Sequence, residues 1–227
     1  MKIPLTKYGL PQVVVLPAII AGVMLVIWLA GPALLPSPVI IGTELAAAIL
    51  LVWVLSFFRD PPRKISGRTD ILLSPADGCI TDIGTDSGQN YFEGPAIKIG
   101  IFLNIFDVHI NRAPCNAAIE KITYKPGRFK NAASPGSGDV NESNDVVMKR
   151  LDSPCDRIVV RQISGAIARR IVCEAAPGQE FTGGQTFGMI KFGSRTELYL
   201  PVRKNAECVV RQGDKVKAGL SVLVRYK

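Results

Sequence analysis

Between Lys7 and Glu44 the chain carries no Asp, Glu, Lys, Arg or His, an uncharged run of 36 residues. That exceeds the roughly 20 apolar residues needed to cross a hydrocarbon core about 30 Å thick. Within it, Leu10 to Leu35 is too long for the apolar region of a signal peptide, which runs to about 15 residues before a small-residue cleavage site. A second apolar stretch, Leu45 to Phe58, is shorter, and Val39 to Thr43 lengthen it if Glu44 is tolerated. Pro11, Pro17, Gly22, Gly31 and Pro32 suit a kinked or re-entrant path as well as a span. Lys2 and Lys7 precede the run, and Arg59, Arg63 and Lys64 follow the second stretch, which puts both flanks in the cytoplasm. The expectation is an α-helical membrane hairpin over residues 1–58, holding a second domain, residues 59–227, on the cytoplasmic face of the cell membrane.

The formal net charge is +8, nearly all of it beyond the hairpin. The basic residues are scattered, without an RNP-like motif, zinc finger or basic helix, so nucleic acid is not the expected partner. An anionic membrane surface accounts for the charge more simply, and a solvated basic surface without any partner gives the same count. Cys79, Cys115, Cys155, Cys173 and Cys208 are odd in number and widely spaced, with no C-x-x-C. They read as reduced, mostly buried thiols rather than a disulfide framework or a metal site.

Beyond Pro61 the pattern is mainly β. Short apolar runs at Ile97–Leu103, Ile119–Tyr124, Ile158–Ile163, Ile167–Cys173, Glu197–Pro201 and Leu220–Val224 are separated by Gly, Pro, Asp and Asn. A helical turn or two is expected only near Asn144–Leu151. The expected fold is an antiparallel barrel or sandwich. Ser74–Ile80 and Arg211–Gly219 each couple a Gly/Asp turn to a strand, in the style of barrel-sandwich hybrid folds, but neither has a modifiable Lys in a hairpin.

The chemistry is sought in rare residues. His109 is the only histidine, in Phe106-Asp107-Val108-His109-Ile110-Asn111-Arg112-Ala113-Pro114, where Asp107 is placed to orient an imidazole. Lys191-Phe192-Gly193-Ser194-Arg195 sets a hydroxyl directly after a glycine, whose unshielded carbonyl and free backbone permit attack by Ser194 on Gly193. It is not the G-x-S-x-G nucleophile elbow. Asp77, in Ser-Pro-Ala-Asp-Gly, has either a turn-forming or a chemical role.

In their order these motifs, with Gly127-Arg128-Phe129-Lys130-Asn131-Ala132 between them, resemble the short, membrane-associated branch of the phosphatidylserine decarboxylases, from about Asp60 to the C-terminus. The resemblance implies a self-processing proenzyme. Ser194 would attack the Gly193 carbonyl, and elimination and hydrolysis would leave residue 194 as a covalent pyruvoyl group, with no metal required. Residues 1–193 would become a β chain and 194–227 an α chain, held together as a heterodimer. The pyruvoyl ketone would condense with the amine of phosphatidylserine, release carbon dioxide and give phosphatidylethanolamine. Catalytic roles fall to Ser194, His109 and Asp77.

Many longer members carry a second histidine where this chain has Arg112, so the family's Asp-His-Ser set does not transfer whole. His109 is left as the only imidazole for maturation, decarboxylation or both, with Asp77 as the other candidate to activate Ser194. The run Val140-Asn141-Glu142-Ser143-Asn144 matches the family at Asn141, Glu142 and Asn144 but lacks its Arg. Competing readings are a membrane-tethered, non-enzymatic β-barrel adaptor and a pyruvoyl decarboxylase of another serine lipid. The hairpin itself is checked by fractionation: the chain should sediment with membranes and resist high-salt extraction, because apolar burial is not screened as charge pairing is. Complete release by salt would contradict it.

Overall fold

The structure is a computed structural model, and it describes residues 4–86, 91–132, 136–166, 170–191 and 193–227, with the Ser137 side chain set aside. It divides into two units, Met1–Pro62 and Arg63–Lys227. In the first, a 3-10 turn at Lys7–Gly9 leads into α1 (Gln12–Leu34) and α2 (Ser37–Phe57), which pack on each other as a hairpin. Each is long and apolar enough to cross a membrane. Trp28, Leu34 and Ile41 are exposed on them, and such uncovered apolar faces point to membrane association.

Pro17 and Pro32 lie inside α1 and do not end it. Pro36, in extended conformation, makes the turn, and α2 starts at Ser37, well before the expected Leu45. Glu44 is accommodated because one charged side chain leaves the backbone ladder of a helix intact. Next to it the Thr43 hydroxyl donates back to the carbonyls of Val39 and Ile40, at 2.9 Å each.

The second unit is mainly β. Its strands are β1 (Ile71–Leu73), β2 (Gly78–Asp86), β3 (Ala96–Leu103), β4 (Ile110–Arg112), β5 (Ala117–Lys125), β6 (Ser143–Arg150), β7 (Arg157–Ile163), β8 (Ile171–Cys173), β9 (Glu180–Phe181), β10 (Thr186–Ile190), β11 (Ser194–Pro201), β12 (Ala206–Cys208), β13 (Lys215–Val216) and β14 (Val222–Tyr226). A short helix, α3 (Ser137–Val140), stands between β5 and β6. Among the described residues the strands form an eight-stranded antiparallel sheet, β13-β2-β3-β11-β7-β6-β5-β9, curled into a half-barrel, and two three-stranded sheets, β1-β14-β12 and β4-β10-β8.

The two faces of the large sheet differ. One buries Ile99, Ile101 and Leu103 of β3, Leu198 and Leu200 of β11, Ile158 and Val160 of β7 and Val146 and Met148 of β6 in the main apolar core. On the other, register places Asp82, Gly100, Glu197, Arg161 and Asp145 side by side across five strands. Arg161 clasps Asp145 through two bonds of 2.5 and 2.8 Å, with both side chains almost fully buried. Arg195 donates to Glu197 at 2.8 Å and also reaches Asp82, and Tyr199 donates to Glu197 at 2.6 Å. Burial alone would lower the pKa of both guanidinium groups. Asp145 beside Arg161, and Glu197 and Asp82 beside Arg195, raise them instead.

The segment Asn144–Leu151, expected to turn helically, is largely strand β6. Its alternation is hidden because both faces are covered: Val146 and Met148 point into the apolar core, while Asp145 points into the ionic row. Ser194 opens β11, three residues before the expected start. β14 begins later than Leu220 because Gly219 turns the chain at a φ of +70°. Ile167–Arg169 of the expected strand Ile167–Cys173 lie outside the described residues. The two similar turns meet: Lys215 and Val216 pair with Cys79 and Gly78, and the Gly219 N–H donates to the Ser74 carbonyl at 2.8 Å.

The ionic row makes a stability prediction. Asp145→Ala leaves Arg161 buried without its carboxylate, at a cost of about 3–5 kcal/mol, and should lower Tm in detergent by roughly 10 °C. Asp82→Ala, at the half-exposed end, should cost about 1 kcal/mol or less. Equal losses would contradict the burial gradient.

Candidate active site

Five chain segments converge where β11 begins. Ser194 pairs with Leu103 at the end of β3, and from there residues 104–108 lead to His109, directly before β4. β4 pairs with β10, the Ile190 N–H donates to the His109 carbonyl at 3.2 Å, and three residues later the chain reaches Gly193. The order of the strands therefore brings His109 and the Gly193–Ser194 peptide to one point.

The loop before His109 is a self-bonded turn. The Asp107 carboxylate accepts from the Asn104 N–H at 2.8 Å, and the Asn104 side chain accepts from the Phe106 N–H at 3.1 Å. The carboxylate expected to orient the imidazole is spent on this turn, and the contact to the ring comes from the Asp107 main chain instead. His109 Nδ1 lies 2.9 Å from the Asp107 carbonyl, which can only accept, so Nδ1 carries the proton. Nε2 is left with its lone pair and accepts from the Gly193 N–H at 3.3 Å. His109 is buried, and a neutral imidazole is the form that this pair of contacts selects.

Gly193 has a φ of +63°, in the left-handed region that costs other residues about 1–2 kcal/mol. Ser194, the first residue of β11, belongs to the row that points into the apolar core and is 0% exposed. Its Oγ is buried and has no hydrogen-bond partner among the described residues. A buried hydroxyl is ordinarily paired, which sets this one apart. Phe192 lies outside the described residues.

Asp77 stands elsewhere in the network. Its carboxylate is gripped by Arg63 through bonds of 2.7 and 2.8 Å and accepts from the Ala218 N–H at 2.7 Å. Its hydrogen bonds thus join the start of the second unit to the C-terminal turn, and none of them reaches His109 or Ser194. The turn that contains it still supports the site, because the Pro75 carbonyl accepts from the Arg112 N–H at 3.0 Å. Arg112 is buried and donates to the Gly184 carbonyl at 2.9 Å.

Several residues around the site had been given no role from the sequence. The buried Asn111 amide donates to Thr196 of β11 at 3.1 Å and accepts from Gln162 at 2.9 Å, and Gln162 accepts from Asn144 at 3.0 Å. This chain of amides ties β4, β11, β7 and β6 together behind Ser194. Lys191 is buried two residues before Gly193, and burial, with Arg170 beside it, lowers its pKa. Among the thiols, burial pushes Cys115 up to about 12 and also raises Cys173 and Cys208, while Cys155 is exposed. All five are free.

Residues 50–224 match the family described as phosphatidylserine decarboxylase. A phosphatidylserine decarboxylase proenzyme of Carboxydothermus hydrogenoformans is 42% identical over 179 residues, covering 79% of this chain and 82% of that protein. One from Desulfotalea psychrophila is 42% identical over 171 residues, covering 75% and 78%. One from Xanthobacter autotrophicus is 36% identical over 224 residues, covering 97% and 88%.

The tautomer at His109 yields a prediction about maturation. Protonating Nε2 would set two N–H groups against each other at Gly193, so, if the chain cuts itself at Gly193–Ser194, that bond should break more slowly at acid pH. His109→Ala should slow it by about 10²–10⁴-fold, followed by intact mass of freshly purified protein. A pH-independent rate together with normal cleavage in His109→Ala would remove the imidazole from the reaction.

Proposed function

The chain belongs to the phosphatidylserine decarboxylase family, and on that premise we propose that it is a proenzyme that cuts itself at Gly193–Ser194 and then converts phosphatidylserine to phosphatidylethanolamine. The observation that carries the reading is the Gly193–Ser194 peptide itself. Its glycine is left-handed, the N–H on the near side of that glycine rests on the lone pair of His109, and the hydroxyl that follows is buried without a hydrogen-bond partner among the described residues.

Ser194 Oγ attacks the Gly193 carbonyl carbon. The new carbon–oxygen bond replaces the carbon–nitrogen bond, and the hydroxyl proton passes to the departing nitrogen. His109 Nε2, which accepts from the N–H one peptide earlier at 3.3 Å, is the base we assign to carry that proton. Loss of the Ser194 Hα and of the Gly193 carboxylate, then addition of water and loss of ammonia, leaves a keto-acyl group at residue 194 without a redox step. The site suits such a group, because a neutral ketone needs no charge partner at a buried position. When formed, the pyruvoyl group supplies an electrophilic ketone that takes up the lipid amine and accepts the electron pair left by carbon dioxide. His109, having taken the proton of the lipid ammonium, would give it to the carbon that lost carbon dioxide. Asp77 serves by position, holding the Pro75 turn against the strand that follows His109.

Approach from a lipid surface fits the rim. Phe106 is 67% exposed at the tip of the loop before His109, and it lines a groove of about 440 Å³ with Asn104, Asp107 and Lys215. Arg128, Phe129 and Lys130 are exposed on the segment leading to Ala132. Aromatic and basic side chains together suit an anionic headgroup layer. The membrane hairpin, residues 1–58, would hold the decarboxylase domain, 59–227, at the cytoplasmic face.

Intact mass tests the reading. The purified protein should resolve into residues 1–193 and residues 194–227, the latter with an N-terminus blocked to Edman chemistry. Ser194→Ala should remain one chain and should not decarboxylate phosphatidylserine in mixed micelles. A wild-type chain that stays whole yet turns over the lipid would overturn the proposal.

A further inference from the structure

Gly193 and Gly165 are glycines for opposite reasons. At Gly193 there is room, since an added Cβ would meet only Ile105 at 3.7 Å, and it is the φ of +63° that excludes a side chain. Gly165 lies outside the left-handed region, and there it is space that excludes one. A Cβ on Gly165 would stand 2.0 Å from the Gly193 carbonyl oxygen, 3.1 Å from its carbon and 3.3 Å from the Ala132 Cβ. The oxygen of the peptide that must be attacked occupies the volume of the missing side chain. The obstacle is backbone and cannot rotate aside.

The walls of this niche are clamped. Asn141, 3% exposed, accepts from the Lys130 N–H at 2.9 Å and donates to the carbonyls of Lys130 and Ser164 at 2.8 Å each. One amide thereby ties the segment leading to Ala132 to the residue before Gly165. The Ser164 N–H also donates to the Glu142 carbonyl at 2.9 Å. One peptide earlier than Gly193–Ser194, His109 accepts from the Gly193 N–H at 3.3 Å.

We propose that Gly165 and Ala132, clamped by Asn141, form the seat for the Gly193 carbonyl oxygen during self-cleavage, so that Gly165 and Asn141 are positioning residues for maturation. This rests on cleavage at Gly193–Ser194. During the attack the oxygen gains charge as Ser194 Oγ bonds to the carbon, and it returns to a carbonyl when the carbon–nitrogen bond breaks and the proton reaches nitrogen. A fixed seat keeps the carbon presented to the hydroxyl throughout. A methyl group at Gly165 must push the oxygen out by an ångström or more, a displacement that costs about 10²-fold in rate.

The test follows full-length wild type, Gly165→Ala, Asn141→Asp and Ser194→Ala in detergent by intact mass, with hydroxylamine added to release any accumulated ester. Gly165→Ala is expected to cleave about 10²-fold more slowly, to yield no hydroxylamine-released fragment, and to melt close to uncleaved Ser194→Ala. A seat lost before the ester forms gives that result, whereas a defect after it leaves hydroxylamine-sensitive material. If Gly165→Ala does not fold, Asn141→Asp decides: it loses both amide donors without adding bulk, and it should cleave slowly while folded. Wild-type rates in a folded Gly165→Ala, or in Asn141→Asp where the first variant fails to fold, overturn the seat, as does ester accumulation. An uncleaved wild type overturns the underlying reading instead.

Discussion

β11 is hydrogen-bonded along both edges, Ser194–Pro201 against Leu103–Ala96 and Arg195–Tyr199 against Ile163–Val159, and this pairing decides where Ser194 points. Side chains alternate across a strand, so the face chosen for Arg195 and Glu197 sends Ser194, Thr196 and Leu198 to the other. A slip of one residue would drive Arg195 and Glu197 into the apolar core and turn Ser194 out. The ionic row on β2, β11, β7 and β6 therefore does more than contribute stability, which for buried pairs is modest in net terms. It makes the wrong register prohibitively costly, and the right register is the one that buries the hydroxyl against the end of β3.

The same pairing holds the C-terminal segment in place. Residues 194–227 supply β11 to the interior of the large sheet, β13 to its edge beside β2, and β12 and β14 to the sheet that includes β1. Breaking the chain at Gly193 removes one covalent bond and none of these ladders. The α and β chains of the proposed enzyme are accordingly interleaved, and each depends on the other for its core.

The β class, strands such as β3, β5, β7 and β11 and the apolar N-terminal pair were legible because alternation, turn residues and uninterrupted hydropathy are local signals. Asn144–Leu151 misled because a strand covered on both faces loses its period. His109 and Gly193–Ser194 could be picked out by rarity and motif, and the strand order then brings them together. Gly165 could not, since its meaning is the volume it leaves for a carbonyl 28 positions away in the chain. Asn141 matched the family pattern, but its role as a clamp depends on a segment and a strand end that meet only in three dimensions. The Asp77–Arg63 pair is likewise a long-range contact, and it explains an Asp in a tight turn without assigning it any proton transfer.

The depth of Ser194 also bears on what kind of chain end this fold can hold. Ordinary hydrolysis of the Gly193–Ser194 peptide would leave an ammonium at the start of an interior strand, 0% exposed, in the row that faces the apolar core. Burying an isolated cation there would cost several kcal/mol, and relief would come from fraying the first residues of β11 toward water. A keto-acyl end carries no charge and leaves the ladder undisturbed. The one new charge, the Gly193 carboxylate, falls on a residue only partly buried. Desolvation at this position thus discriminates between two ways of cutting the same bond, tolerating the keto-acyl end of the proposed reaction and expelling the ammonium of simple hydrolysis.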